Sequence, residues 1–408
     1  MVSKSTPMAR RIVVLDSHQF NDNRISKHIS TVRERYDIFR MNVNFYKDRT
    51  TTGLDLQNVQ IIDFVPTSKP YLNGALFTIS TLFGGCARRA EISLKKTFIK
   101  NDDVIIFHVH DPYMLGLAKK LKKRFQRSRI VYDRHEYYDA WNYGIGFSIP
   151  HLFERQFGRQ VDEIIFVSNN MEKMPEAFRN KKITVVPNYP LCSLFSKEVV
   201  TEKIGSFVLG EEVVIAYIGT LNLDFDRDTS LMFKIMDKLM RRDLKIKFVI
   251  AGRIYGDEIP KIIRAMQAEF GDRIVYLGEI PMPEVAKQAQ QAHLGFLLIR
   301  PESPVWSDSR PLSANKVYEY LMGGTIPVIR AVIEDREKIE KCSLIFDEQS
   351  SLDDICNRML ALIGDRDRMK RMMGECYDAG QDFSWEKVSP RYLECYERVF
   401  SLLEQGNQ

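Results

Sequence analysis

Lys316 and Glu319 stand three residues apart in Ser313-Ala-Asn-Lys-Val-Tyr-Glu-Tyr-Leu-Met-Gly-Gly-Thr-Ile-Pro-Val-Ile329, so on a helix they share one face. The segment reads as a polar loop, a short helix of about two turns, a Gly-Gly stop and a buried strand. Ser313 or Asn315 is expected to cap the helix, its first backbone N–H groups remaining free to hold an anion. A cation and free amides beside a carboxylate suit a ligand with phosphates at one end and a hydroxylated sugar near the other, that is, a nucleotide-sugar. Taken alone, the same residues also fit a surface helix packed by Val317, Tyr318 and Leu321, with Lys316 and Glu319 as a solvated ion pair.

A second set of reactive side chains lies in His108-Val-His-Asp-Pro112 and Tyr132-Asp-Arg-His-Glu136. His108 and His110 alternate along one strand and so point to the same face. An H-x-H pair with a later histidine invites a metallohydrolase reading, but no acidic ligands follow in a recognisable arrangement. Histidines hydrogen-bonded at strand ends are the plainer alternative. The D-x-D within Asp224-Phe-Asp226-Arg-Asp228 is read as acidic complement to a helix dipole rather than as a metal motif. Gly219 and Thr220 in Tyr217-Ile-Gly-Thr220, the glycine before Arg253 in Ile250-Ala-Gly-Arg253, and Gly278 in Leu277-Gly-Glu-Ile280 are strand-to-turn positions. There glycine permits close backbone approach to a phosphate or base.

The elements that must position these residues are short apolar strands alternating with helices. Strands are expected near 11–15, 38–43, 59–65, 104–108, 130–133, 164–168 and 183–186, then near 213–217, 247–251, 274–277, 294–298, 326–329 and 343–346. Helices are expected at 230–241, 260–270, 283–292 and 352–362, with a last one starting at Phe383-Ser-Trp385 and running to about Leu403. Alternating β and α predicts parallel sheets covered on both faces. The expected fold class is therefore α/β: two Rossmann-like, doubly wound parallel-sheet domains facing a cleft. The boundaries predicted are 1–190 for the first domain, 191–212 for a linker, 213–382 for the second domain and 383–408 for a terminal helix packing back on the first. Ligands of such sheets bind at the carboxyl ends of the strands, which is where the polar residues above fall.

At 408 residues the chain is too long for one ordinary domain. Its 44% hydrophobic and 28% charged residues are those of a globular protein, and no apolar run approaches the roughly 20 residues that span a bilayer. Ile12-Val-Val-Leu15 is too short for a signal-peptide core and reads as the first strand. Six scattered cysteines without a C-x-x-C pair argue against zinc ribbons and disulfide scaffolds and for a reducing cytoplasm. Residues 1–190 hold 30 Lys and Arg against 19 Asp and Glu, and the remainder 29 against 35, so the first half is the basic one. Its densest run, Lys119 to Arg129, reads either as a solvated helix face or as a contact with an anionic membrane surface. Nucleic acid fits less well, since the run has one aromatic, Phe125, and no recognised module around it.

The segments 313–329 and 108–137 together resemble the family-4 glycosyltransferases of the GT-B fold. The first is similar to that family's donor segment, P/S-x-K-x-x-E-Y-hydrophobic-x-x-G-x-P-V-I, and the second to its H-x-H-D … Y-D-x-H-E region. Asp22-Asn-Arg24, Val185-Val-Pro-Asn188 and Leu277-Gly-Glu-Ile280 resemble its D-x-R, V-I-P-N and F-L-G-x-V motifs. The resemblance implies that Glu319 holds the ribose of the donor and that Lys316, with Ser313 and Asn315, faces its diphosphate. Gly219, Thr220, Arg253 and Gly278 would complete the donor site. His135 would contact the transferred sugar, with Arg24 and His110 on the acceptor side; Tyr137 and Trp141, in the loop that follows, are further acceptor-side candidates whose rings could stack a sugar or simply pack. It further implies transfer of a sugar from a nucleotide-diphospho-sugar to a saccharide or lipid-linked hydroxyl, with retention, in polysaccharide or glycolipid assembly, without a metal or other cofactor. Two departures stand out. Pro311 occupies the position of a second glutamate, and Thr220 that of an arginine on the diphosphate, leaving Arg227, Arg310 or Lys316 to supply the charge. A nucleotide-sugar epimerase and a non-catalytic sugar- or membrane-binding scaffold are the alternative readings.

Overall fold

The computed structural model describes residues 9–18, 22–45, 59–64, 66–100, 103–136, 145–168, 175–208, 210–223, 226–242, 245–303, 306 and 311–405. Tyr137, Trp141, Asp224 and Arg310 lie outside the described residues. The chain divides into two compact units, one of residues 1–187 with 388–408 and one of residues 188–387.

The first unit is built on seven parallel strands: β1 Arg10–Asp16, β2 Asp37–Asn44, β3 Val59–Asp63, β4 Val104–Val109, β5 Ser128–Arg134, β6 Glu163–Phe166 and β7 Lys182–Val185. Their order is β3-β2-β1-β4-β5-β6-β7, so the direction of winding reverses between β1 and β4. Every residue of β4, Val-Ile-Ile-Phe-His-Val, is buried, as expected of a central parallel strand covered on both faces. Ile105, Phe107 and Val109, with Ile130 and Tyr132 of β5, enter an apolar core shared with Phe77, Leu94, Leu117, Leu121 and Phe157. The alternate positions, His108, His110, Asp133 and His135, point to the opposite face. That face is covered by helices Asn23–Val32 and Pro390–Gln405.

The second unit carries six parallel strands: β8 Val213–Ile218, β9 Ile246–Ala251, β10 Ile274–Tyr276, β11 Leu294–Leu298, β12 Ile326–Arg330 and β13 Leu344–Phe346. Their order, β10-β9-β8-β11-β12-β13, reverses between β8 and β11. The thirteen strands fall within two residues of the expected bounds, because buried parallel strands are near-continuous apolar runs that stand out in sequence.

Two stretches differ from expectation. The expected linker 191–212 holds a helix, Lys197–Ser206, which Ser196 caps by accepting from the Val199 amide. Lys203 on that helix donates from Nζ to the carbonyls of Ala292 (2.9 Å), Gly323 (2.7 Å) and Gly324 (2.9 Å). It thereby satisfies carbonyl oxygens just past helix Asn315–Met322, so the stretch is structural in the second unit. Lys203→Met removes these bonds, leaves the carbonyls without that donor and is expected to cost about 2 kcal/mol, read as a fall in the unit's urea midpoint. The terminal helix is also not continuous. A short helix, Trp385–Val388, ends before Ser389, and a new one starts at Pro390, the residue whose ring is tolerated only in a first helical turn.

Candidate functional site

In the second unit the carboxyl ends of β8, β9 and β10 are knitted together by glycines. The Gly219 amide donates to the carbonyl of Ala251 at 2.8 Å, and the Gly252 amide to that of Gly278 at 2.7 Å. Gly252 has φ 143°, and a Cβ there would lie 1.9 Å from the carbonyl oxygen of Gly219, so no other residue fits. Gly219, φ 146°, leaves room for a different neighbour: a Cβ on it would stand 2.7 Å from Nζ of Lys316. The ammonium lies 4.0 Å from the ring centroid of Tyr217, a cation–π arrangement. The Tyr217 hydroxyl in turn donates to the carbonyl of Thr220 at 2.7 Å. Burial pushes the Lys316 ammonium down to about 7, Arg227 pushes it the same way, and Asp226 and Glu319 oppose them.

Arg227 is held to Asp226 at 2.7 Å and bridges to Ile299, just after β11. Lys316 and Arg227 therefore come together where the winding of the sheet reverses, the position at which open α/β sheets take their ligands. Helix Asn315–Met322 begins after Ala314, and neither expected cap forms. Ser313 Oγ instead lies 3.5 Å from the Tyr318 hydroxyl, and Asn315 is the first helical residue, exposed. An N-terminus without a side-chain cap presents its first-turn amides to an anion more openly than the sequence suggested. Glu319 follows one turn later, half-buried. Arg253 is paired with Glu279 at 2.8 Å on the half-exposed rim. Two cations, uncapped amides and a carboxylate one turn away can bind a diphosphate and offset charge developing on it.

The first unit gathers a different chemistry around Asp133. Arg24 donates to both carboxylate oxygens, at 2.8 Å from Nη2 and 3.2 Å from Nε, and its Nη1 donates to the carbonyl of Val186 at 2.9 Å. Tyr392 donates its hydroxyl to Asp133 at 2.5 Å. Burial alone would raise this carboxyl, but Arg24 and His108 hold it well below the usual carboxylate range. Four histidines surround it. His28 Nδ1 lies 3.0 Å from His110 Nε2, and His110 Nδ1 lies 2.9 Å from His135 Nε2. The Tyr396 hydroxyl lies 2.6 Å from His28 Nε2 and 2.7 Å from His108 Nδ1. Burial pushes all four imidazoles down, His28 and His110 well below their ordinary value and His135 to about 3, so the rings are neutral at physiological pH.

Arg24 and His110, both expected on the acceptor side, are buried, with every nitrogen of each already paired. His110 bonds His135 from beneath, Arg24 holds the neighbouring Asp133, and His135 itself keeps 10% of its side chain exposed. Two trios, His28, His108 and His110, and His110, Asp133 and His135, each offer ligand atoms within 4.8 Å of one another and could hold a metal ion. The ring nitrogens, however, approach to 2.9–3.0 Å, closer than the about 3.3 Å that separates two nitrogens on one tetrahedral zinc.

Residues 65–189 match the family described as Glycosyltransferase Family 4. Solved structures superpose on nearly the full length of the chain. Sucrose-phosphate synthase from Thermosynechococcus elongatus aligns with TM-score 0.68 at 14% identity, covering 96% of this chain and 100% of that one. The fold is GT-B. Anabaena HepE, solved with UDP and glucose, aligns with TM-score 0.66 at 12% identity over 95% and 99%. Trehalose 6-phosphate synthase from Burkholderia multivorans aligns with TM-score 0.61 at 10% identity over 98% and 99%. No curated protein matches the sequence. The segments that resemble family-4 motifs fall just after β1, at the carboxyl ends of β4, β5, β7 and β10, and at the start of helix Asn315–Met322. His28, Tyr392 and Tyr396 carry no motif, and the sequence reading missed them; Tyr217 stands in a quoted segment, but only its glycine and threonine were singled out. The one available signal was the i, i+4 spacing of Tyr392 and Tyr396 on the apolar face of an amphipathic helix that also buries Cys395, Val399, Phe400 and Leu403.

Proposed function

We propose that the chain moves a sugar from a nucleotide-diphospho-sugar to a hydroxyl acceptor, with retention of configuration and without a metal ion. The observation that carries this reading is the meeting of Lys316, Arg227, the Gly219 turn and the uncapped helix start at the reversal between β8 and β11. Cleaving the anomeric C–O bond builds negative charge on the leaving diphosphate. A cation and backbone amides fixed beforehand at that place stabilise it without reorganising. Lys316, Arg227 and the amides after Ser313 and Asn315 take the diphosphate, Glu319 the ribose hydroxyls, and Gly219, Thr220, Arg253 and Gly278 the rest of the nucleotide. Arg227 thus supplies the charge missing at Thr220. His135 contacts the sugar. Because HepE is described with UDP and glucose, UDP-glucose is the first donor to try.

The test is calorimetry with UDP-, GDP-, ADP- and dTDP-sugars, in wild type and Glu319→Ala, with and without a chelator. Saturable binding that prefers one base, weakens at least tenfold in Glu319→Ala and ignores the chelator is expected. No binding to any donor would leave a scaffold as the better account, and turnover without an acceptor would point to an epimerase.

We place the acceptor among polysaccharides or glycolipids, reached at an anionic membrane surface. No described helix is long and apolar enough to cross a membrane. In the run Lys119–Arg129, Lys122 and Arg129 pair with Asp162, Arg124 with Glu91, and Lys119 lies over Phe157. Better suited to lipid are Leu76, Ile79, Phe83 and Ile92, exposed on and between helices Pro70–Leu82 and Gly85–Thr97, beside Arg88 and Arg89. Phe83 is 86% exposed, and burying such a ring in lipid contributes about 2 kcal/mol. Phe83→Ser should weaken sedimentation with phosphatidylserine vesicles at least tenfold. Equal sedimentation would remove this surface from the account.

A further inference from the structure

His108, Tyr396, His28, His110 and His135 form one unbroken line of hydrogen bonds, from a ring beside Asp133 out to the one histidine of the line that reaches the surface. Each neutral imidazole has one N–H and one bare nitrogen, and the Tyr396 hydroxyl, fully buried, must donate to one of its two rings and so accepts from the other. The whole line must therefore point one way or the other. In the outward direction, His108 donates to Tyr396, Tyr396 to His28, His28 to His110, and His110 to His135 Nε2. In the inward direction every bond is reversed: His135 Nε2–H donates to His110 Nδ1, and the last donor is Tyr396 to His108 Nδ1, leaving the proton of His108 on Nε2.

Asp133 distinguishes the two. Its carboxylate oxygens lie 3.7 Å from His108 Nε2, 3.6 Å from His110 Nδ1 and 3.8 Å from His135 Nε2. The outward direction turns one N–H and two lone pairs toward this anion. The inward direction turns two N–H groups and one lone pair toward it. His108 Nε2 is buried with no hydrogen-bond partner, so it too is better placed as an N–H facing a carboxylate than as a bare nitrogen. Arg24 and Tyr392 hold Asp133 in place.

We propose that this line runs inward, so that Tyr396 and His28 are positioning residues that hold His135 as its Nε2–H tautomer and turn a bare Nδ1 outward as a hydrogen-bond acceptor for a hydroxyl. No described residue occupies that Nδ1. A helix near the far end of the chain thereby sets the chemical character of a side chain at the end of β5. The tautomer stands on the geometry alone. That the hydroxyl belongs to a sugar rests on the sugar-transfer reading above.

The experiment is long-range 1H–15N correlation NMR of the histidine rings in the unliganded full chain, with Zn2+ added in a second sample. The expected wild-type spectrum shows His135 with a pyrrole-type Nε2 and an imine-type Nδ1, unmoved by zinc. A proton on Nδ1, or on both nitrogens, overturns the proposal, as does one zinc per chain that shifts these histidines together. In Tyr396→Phe the line loses its polarity, and His135 is expected as a mixture of tautomers in a chain that remains folded. An unchanged His135 overturns the role of Tyr396. Should that variant not fold, His28→Gln reads the same point, because a glutamine amide donates or accepts equally well and also predicts a mixture. Failure to bind any nucleotide-sugar would overturn the sugar-transfer reading and leave these spectra as they are.

Discussion

Lys316→Met is expected to lower kcat/KM for the preferred nucleotide-sugar about a hundred- to a thousandfold, the usual loss when a fixed donor to developing charge is removed. Folding should be little affected, since a methionine fills the channel between Tyr217 and Gly219 without a charge to bury. Lys316→Arg should recover little. The space beside Gly219 admits an ammonium, which already stands 2.7 Å from the Cβ position, and a planar guanidinium is broader. The same geometry sets a pH dependence. With its ammonium pushed down to about 7 by burial and Arg227, free Lys316 is about half neutral at pH 7, and a bound diphosphate raises it again. Donor binding then takes up about half a proton at pH 7, and affinity, full below that, falls up to tenfold per pH unit above it. Calorimetry in two buffers of different ionisation enthalpy measures the uptake directly. Binding with no proton uptake and a flat profile up to pH 9 would mean that Lys316 does not meet the phosphates.

Arg24→Met is the largest expected loss of stability, about 3–5 kcal/mol in the first unit, the cost of leaving one partner of a buried ion pair alone. Asp133 keeps only Tyr392 as a strong donor and must either stay charged in an apolar surround or take up a proton. The sign of the pH effect follows. In wild type the folded Asp133 lies well below its unfolded value, so its contribution is present above about pH 4 and is lost only as the pH falls through the folded value. In Arg24→Met the folded value lies above the unfolded one, and the variant recovers stability as the pH falls. The gap between the two proteins should be widest at neutral pH and narrow toward pH 4. Hydrogen exchange of the β4 and β5 amides at pH 7 and pH 5 reads it locally. A gap that is absent, or that widens in acid, would mean that Arg24 is not the counter-ion that holds Asp133.

Both results depend on side chains whose role was only half legible. Lys316 and Glu319 could be paired from sequence because three residues on a helix is a local distance. Asp22-Asn-Arg24 stood out as a motif, yet its arginine points into the protein at Asp133, a residue 109 positions away, and does not line a surface. The caps expected from Ser313 and Asn315 failed for a similar reason. Capping propensity describes an isolated helix end, and here Ser313 is drawn to Tyr318 while Ala314 takes the cap position. The helix in 197–206 has no amphipathic signature, because Val200 is the one side chain buried along it. What holds it is Lys203, whose carbonyl acceptors come from three distant residues.

Sequence by itself determined the parallel strands, the division of the chain into two α/β halves and the strand ends at which polar residues collect. These follow from short-range sterics and from the burial of apolar runs, which each segment carries within its own few residues. Tertiary structure alone decided that a lysine in a helix would lie on a tyrosine beside a glycine turn with its charge half lost. It alone also brought His28, His108, His110 and His135 into one line joined through Tyr396. Those partners lie up to 368 positions apart, and they meet only because the sheet order puts β4 beside β5 and the first and last helices cover the same face. No local preference encodes that meeting, since it is the packing of the whole unit that sets which rings touch and, through one buried carboxylate, which nitrogen carries the proton.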